Sequence, residues 1–259
     1  MLVAAALAAG SQERGQKSGL GGAHSIRHGT VRLGVSGIPE PTRQGLAIGA
    51  PEPLRGDQHV ERWAALRRGV VARVAPSARA RPAARLSART PERTTNLVLV
   101  LGHARDARGR LWIRARLPSR EARTGWLPRA ALGTYGAVHT RLIVDRARFR
   151  LTLVRDGRVV LKARVGVGRA STPTPAGSFY IRDRVTRYAS PFYGPVAFGT
   201  SARSATLTDW PGGGFVGIHG TNRPDLVPGR ISHGCIRLRN ADILRLAALL
   251  PVGTPLEIR

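Results

Sequence analysis

Sulfur is scarce in this sequence. Cys235 is the only cysteine and Met1 the only methionine among 259 residues. A single cysteine excludes an intrachain disulfide. Lysine occurs only at Lys17 and Lys162, and acids are few: 15 Asp and Glu stand against 42 Lys and Arg, a formal net charge of +27. Aromatic residues make up 5% of the chain. No apolar run approaches the roughly 20 residues a membrane-spanning helix needs, so no integral membrane span is expected. What is present is small and turn-forming. Hydrophobic residues reach 42%, enough for a real core, while 31 glycines and 18 prolines favour short strands and many turns over long helices.

The positive charge invites a nucleic-acid reading. Its distribution argues otherwise. The cations are almost all arginine, they spread along the whole chain, and they accompany abundant alanine and glycine. That is the composition of a GC-rich genome, and no nucleic-acid partner is expected. A basic surface is still drawn to anionic polymers, including the carboxylates and phosphates of bacterial walls. The first residues, MLVAAALAAG, are small and apolar, and Ala6-Leu7-Ala8 resembles a signal-peptidase site without the usual positive flank. An exported chain with an incomplete signal peptide is the expectation.

Three stretches differ in character. Residues 1–68 carry Pro, Gly and Arg without strand or helix periodicity, as in Ala50-Pro51-Glu52-Pro53, and read as a poorly structured tether. One short helix around Val60, Trp63, Ala64 and Leu66 is expected at its end. Residues 69–133 read as short strands, with Asn96–Gly102 apolar, Leu111–Leu117 alternating, and a Gly125-Trp126-Leu127-Pro128 segment. They resemble a small SH3-like β-barrel with Trp112 and Trp126 in its core; an irregular β extension packed on the next unit is the plain alternative. Residues 138–259 form a further unit. In Phe149–Val154, Phe149, Leu151 and Leu153 alternate with Arg150 and Thr152; Asp156-Gly157 signals a two-residue hairpin, and Val159–Val165 returns. A loop at 171–177 leads to a strand at Ser178–Arg182. Asn240–Leu250 has helical period with Asn240 as N-cap, and Thr254–Ile258 closes as a strand. The fold class is mainly β with one short helix.

Chemistry concentrates at Gly217-Ile218-His219-Gly220-Thr221 and at Ile231-Ser232-His233-Gly234-Cys235-Ile236-Arg237-Leu238. A thiol attacks carbonyls as thiolate, and an unassisted cysteine near pKa ~8.5 is mostly protonated at neutral pH. A neighbouring imidazole can take the proton and leave an ion pair. His219 and His233 are the two imidazoles on offer. The Pro- and Gly-containing loop Asn222–Ile231 can fold the chain back and bring His219 beside Cys235. Gly234 permits a sharp turn, after which the Gly234 and Cys235 amides could point at a developing oxyanion. Ser232 could orient an imidazole through its hydroxyl or its carbonyl. Tyr193 and Trp210 lie in a Pro/Gly-rich stretch that could line a groove or pack into the core. A buried structural thiol is the plain alternative for Cys235. As a zinc site, His219, His233 and Cys235 supply three ligands where structural zinc wants four, and His-x-Cys spacing is unusual. No metal and no cofactor are expected.

His-x(12)-Ser-His-Gly-Cys, followed by an apolar residue and then Arg, resembles the signature of the L,D-transpeptidase catalytic domain family. The hairpin, the Thr172–Phe179 loop and strand, and Phe198-Gly199-Thr200 fit the same family, over residues 138–259. The resemblance implies a β-sandwich that remodels peptidoglycan in the cell wall or periplasm. It implies Cys235 as nucleophile and His219 as general base. Ser232, His233, Gly234, Arg237 and Gly220 would shape the site or bind substrate. The implied partners are a donor stem tetrapeptide and an acceptor amine, joined in a 3→3 cross-link, with carbapenem β-lactams as inhibitors. Two other readings stand beside it: an L,D-carboxypeptidase, in which water replaces the amine, and a non-catalytic wall-binding protein.

Overall fold

The computed structural model describes residues 60–119, 121–186, 190–204, 206 and 214–259. The tether expected before residue 60, the signal-like segment and Trp210 lie outside these residues. Among them, no helix is long and apolar enough to cross a membrane.

The first sheet contains β1 (Glu61–Leu66), β2 (Val70–Arg73), β3 (Pro82–Leu86), β4 (Leu97–Arg105), β5 (Leu111–Arg116), β6 (Thr124–Pro128) and β7 (Leu132–Val138), in the order β3-β2-β6-β5-β4-β1-β7. The helix expected around Trp63 is instead strand β1, and the sheet begins inside the stretch assigned to the tether. The reason is tertiary. Trp63 pairs with Leu99 on β4 and with Gly136 on β7, so β1 gains backbone bonds on both edges that a lone helical turn could not match. Gly136 carries no Cβ because the Trp63 ring occupies that space. Ala64, Val98, Ile113, Ala115 and Leu127 fill the core on one face. Trp112 is buried, its indole N–H donating to Asp106 at 3.1 Å, whereas Trp126 is only half-buried.

The second sheet contains β8 (Thr140–Asp145), β9 (Arg150–Arg155), β10 (Arg158–Arg164), β11 (Gly166–Gly168), β12 (Gly177–Val185), β13 (Ala197–Arg203), β14 (Phe215–His219), β15 (Gly229–Ser232), β16 (Ile236–Arg237) and β17 (Pro255–Ile258). Its order is β10-β9-β8-β17-β12-β13-β14-β16-β11-β15. The predicted hairpin joins β9 to β10. Asp156 and Gly157 have φ of 48° and 75°, the pair of positive values a type I′ turn needs. Leu151 and Leu153 of β9 are fully buried, as their alternation requires. Helix α1 (Asn240–Leu249) covers the core with Ile243 and Leu246. Each such buried aliphatic side chain contributes about 1.5–3 kcal/mol. Asn240 is not the N-cap. Arg239 takes that place with no side-chain cap bond, and Asn240 is the first helical residue.

The two sheets meet through Trp63, Leu97, Leu99, Val138 and Tyr180. The Tyr180 hydroxyl donates to the Leu97 carbonyl at 3.0 Å. Beside it lies a buried ionic group. The Arg182 guanidinium, 2% exposed, donates to Glu92 at 2.7 Å and lies 3.4 Å from the Asp183 carboxylate. Asp183 in turn accepts the Gly199 N–H and the Thr94 hydroxyl.

Candidate active site

Register decides which side chains meet. Strands β14 and β16 run parallel and adjacent, with Ile218 opposite Ile236 and His219 opposite Arg237. Both isoleucines are fully buried in the core. Side chains alternate across a strand, so Gly217, His219, Cys235 and Arg237 share the opposite face. Along that face Cys235 sits beside Gly217 and diagonal to His219. The Gly217 N–H donates to the Cys235 sulfur at 3.4 Å. An N–H donor at sulfur stabilises a negative sulfur more than a neutral one. Cys235 is 6% exposed and packs with Ala197, Phe215 and Tyr193.

His219 is held more tightly than the sequence suggested. Its Nδ1 lies 2.6 Å from the Gly220 carbonyl. A carbonyl can only accept, so Nδ1 carries the proton and Nε2 keeps a lone pair. The ring is 1% exposed, with Tyr193 edge-on at 4.9 Å between centroids. Burial, helped by the charge of Arg237, lowers its pKa to about 3 against the opposing pull of the Gly220 bond. The imidazole is therefore neutral throughout the physiological range. The expected thiolate–imidazolium ion pair is disfavoured at rest, because a buried ring beside a guanidinium resists a second positive charge.

The loop and turn around Cys235 correct two expectations. The Ser232 hydroxyl donates to the Cys235 carbonyl at 2.5 Å and accepts the Gly234 N–H at 3.1 Å. The Ser232 carbonyl takes the Arg169 N–H and the Thr172 hydroxyl. Ser232 thus closes the turn and does not orient an imidazole. The Gly234 amide is used inside the turn as well, so it does not point to an oxyanion. Gly234 has φ of +126°, which accounts for glycine there. His233 is exposed, whereas His219 is buried. Arg237 is buried, its guanidinium 4.4 Å over the Phe192 ring.

Asn240, Phe192 and Thr174 escaped the sequence reading, while Tyr193 was among its groove candidates. Asn240 reaches from α1 to accept the Thr221 N–H at 2.9 Å, and its Oδ1 fills the space where a Gly220 Cβ would stand. Phe192 and Tyr193 form one wall beside His219. Thr174, 1% exposed, bonds to Gly234. The only sequence signals were the asparagine after Arg239 and the threonine-proline loop, neither of which specifies a partner.

Comparison with known proteins bears on the family. Residues 139–258 match the family model described as YkuD, the L,D-transpeptidase catalytic domain. The Bacillus subtilis (strain 168) protein named as L,D-transpeptidase YkuD is 36% identical over 42% of this chain and 58% of its own length. YqjB of the same organism, named likewise, is 31% identical over 44% of this chain and 67% of its own. The solved catalytic domain of the Enterococcus faecium L,D-transpeptidase is 28% identical, covers 46% of this chain and 96% of that chain, and has a TM-score of 0.35. The match to YkuD thus spans just over half of that relative's length. Through its residues 139–258, the chain belongs to the L,D-transpeptidase family.

Proposed function

We propose that this chain is an exported peptidoglycan L,D-transpeptidase that works through a Cys235 acyl-enzyme. The observation that carries the reading is the register that sets His219, its Nδ1 bonded to the Gly220 carbonyl, on the same sheet face as the sulfur. In this reading His219 Nε2 takes the Cys235 proton as the sulfur attacks the carbonyl of a donor stem tetrapeptide. The carbon–sulfur bond forms, the peptide bond to the terminal D-residue breaks, and the proton passes from His219 to the departing amine. A side-chain amine of a neighbouring stem then attacks the thioester, giving a 3→3 cross-link and returning the thiol. Arg237 and Phe192 flank the base and shape the substrate's approach. His233, exposed next to the turn, and Gly220, under His219, complete the site. The basic composition suits retention at an anionic wall.

A second reading keeps the chemistry and lets water take the acceptor's place, making an L,D-carboxypeptidase. Digestion products of purified sacculi or stem tetrapeptides separate the two. Dimers linked 3→3 support the transpeptidase; tripeptides alone support the trimming enzyme. Unchanged tetrapeptides with folded protein defeat both and favour a wall-binding role for the first sheet, for which an SH3-like module is the proposed form.

A further inference from the structure

The loop between β11 and β12 ends in a side chain whose contacts set the orientation of one peptide plane. Thr174 is 1% exposed. Its hydroxyl oxygen accepts the Gly168 N–H at 2.9 Å, so its single hydrogen is left for the Gly234 carbonyl, 2.8 Å away. The loop has no slack. Gly168 carries no Cβ because the backbone of Thr172 and Thr174 fills that volume, and the Arg146 guanidinium donates to the Thr174 carbonyl at 2.7 Å. Thr172 adds a bond to the Ser232 carbonyl, and Ser232 one to the Cys235 carbonyl. Hydroxyls therefore hold the carbonyls of residues 232, 234 and 235.

The Gly234 carbonyl and the Cys235 N–H belong to one peptide unit, and in a trans peptide they point in opposite directions. Drawing the carbonyl toward Thr174 turns the Cys235 N–H away from that loop. In acyl transfer a backbone N–H stabilises the developing oxyanion only when it is aimed where that charge forms. We infer that Thr174 is a positioning residue for acylation: it sets the Gly234–Cys235 peptide plane so that the Cys235 amide serves the oxyanion. The inference rests on the acyl-enzyme reading above. It identifies the task of the Gly234 carbonyl and leaves the Gly234 amide to Ser232.

The test separates a step that needs an oxyanion donor from one that does not. Acylation of Cys235 by imipenem develops an oxyanion; alkylation by iodoacetamide requires only the sulfur. Both rates are read by intact mass for the full chain, for Thr174→Val, which keeps the shape and loses the hydroxyl, and for Thr174→Ser, which keeps the hydroxyl. Thr174→Val is expected to be acylated about tenfold to a hundredfold more slowly, with alkylation within about twofold of the parent chain and Thr174→Ser restoring acylation. If Thr174→Val fails to fold, Thr174→Ala takes the same assay. Equal acylation of the parent and the hydroxyl-free variant overturns the inference, as does a parallel fall in both rates, which marks a misplaced thiol. A parent chain that alkylates but never acylates removes the acyl-enzyme reading and this inference with it.

Discussion

His219 shows how far burial can change what a residue type suggests. An exposed histidine titrates near 6.5 and, beside a thiol, invites an ion pair. Here the ring is sealed under Tyr193, faces Arg237, and spends its Nδ1 proton on Gly220. With its pKa lowered to about 3, the ring is neutral across the physiological range. One expectation follows for activity. Acylation should show no acid limb near pH 6.5. A pH–rate profile of acylation that falls on protonation of a group near pH 6.5 would contradict this. That His219 and Cys235 come to one face of the sheet was legible in the sequence, because glycines and a second histidine surround them in a specific spacing. The state of the ring was not, since it depends on Phe192 and Tyr193 arriving from the 3-10 turn Pro191–Tyr193 and on Arg237 from β16.

Elements place these residues by pairing. The β9–β10 hairpin was readable because alternation and the Asp156-Gly157 turn are local signals. Strand β1 was not, because its bonds come from β4 and β7, distant in sequence. Asn240 failed as a cap for a related reason: its side chain serves the chain at Thr221 instead of its own helix. That brace yields a prediction. A methyl group at Gly220 would collide with Asn240 Oδ1 and press on Gly194 and Pro195. Gly220→Ala should therefore cost about 1–3 kcal/mol by overpacking, and Asn240→Gly in the same chain should recover part of it. Urea unfolding of the single and double variants checks this; additive losses would show that the two sites are independent.

At the scale of the molecule, the buried group of Glu92, Arg182 and Asp183 joins the sheets. Its charges do not balance: one guanidinium faces two carboxylates. Burial, with Glu92 adding repulsion and Arg182 opposing, pushes the Asp183 pKa up to about 6. A folded-state value above the unfolded one means that the native chain keeps a proton the unfolded chain has released. Stability from this group is therefore full below about pH 4 and falls as pH rises through about 6. Asp183→Asn retains an acceptor for the Gly199 N–H and removes that fall. Its Tm at pH 7 should equal or exceed the parent's, with a shallower slope between pH 4 and 6. A lower Tm with an unchanged slope would contradict the assignment. Removing Glu92 is a different matter, because it strips a partner from a buried guanidinium. Glu92→Ala should lose roughly 3–5 kcal/mol, measured by denaturant unfolding. The same contacts predict that residues 138–259 alone, deprived of Glu92 and of the Trp63–Leu97 cover over Tyr180, melt well below the full chain. Strand patterns pointed to β structure throughout residues 69–259, yet nothing in them announced that the buried Arg182 would pair with Glu92.

The claim beneath all of this is that Cys235 is an acylating nucleophile. Intact-mass measurement of the folded chain after exposure to a carbapenem tests it most directly. The account predicts a stable adduct of one β-lactam per chain, formed more slowly in His219→Ala and absent in Cys235→Ala. A folded parent chain that gains no mass, or a Cys235→Ala variant that still gains it, would contradict the account.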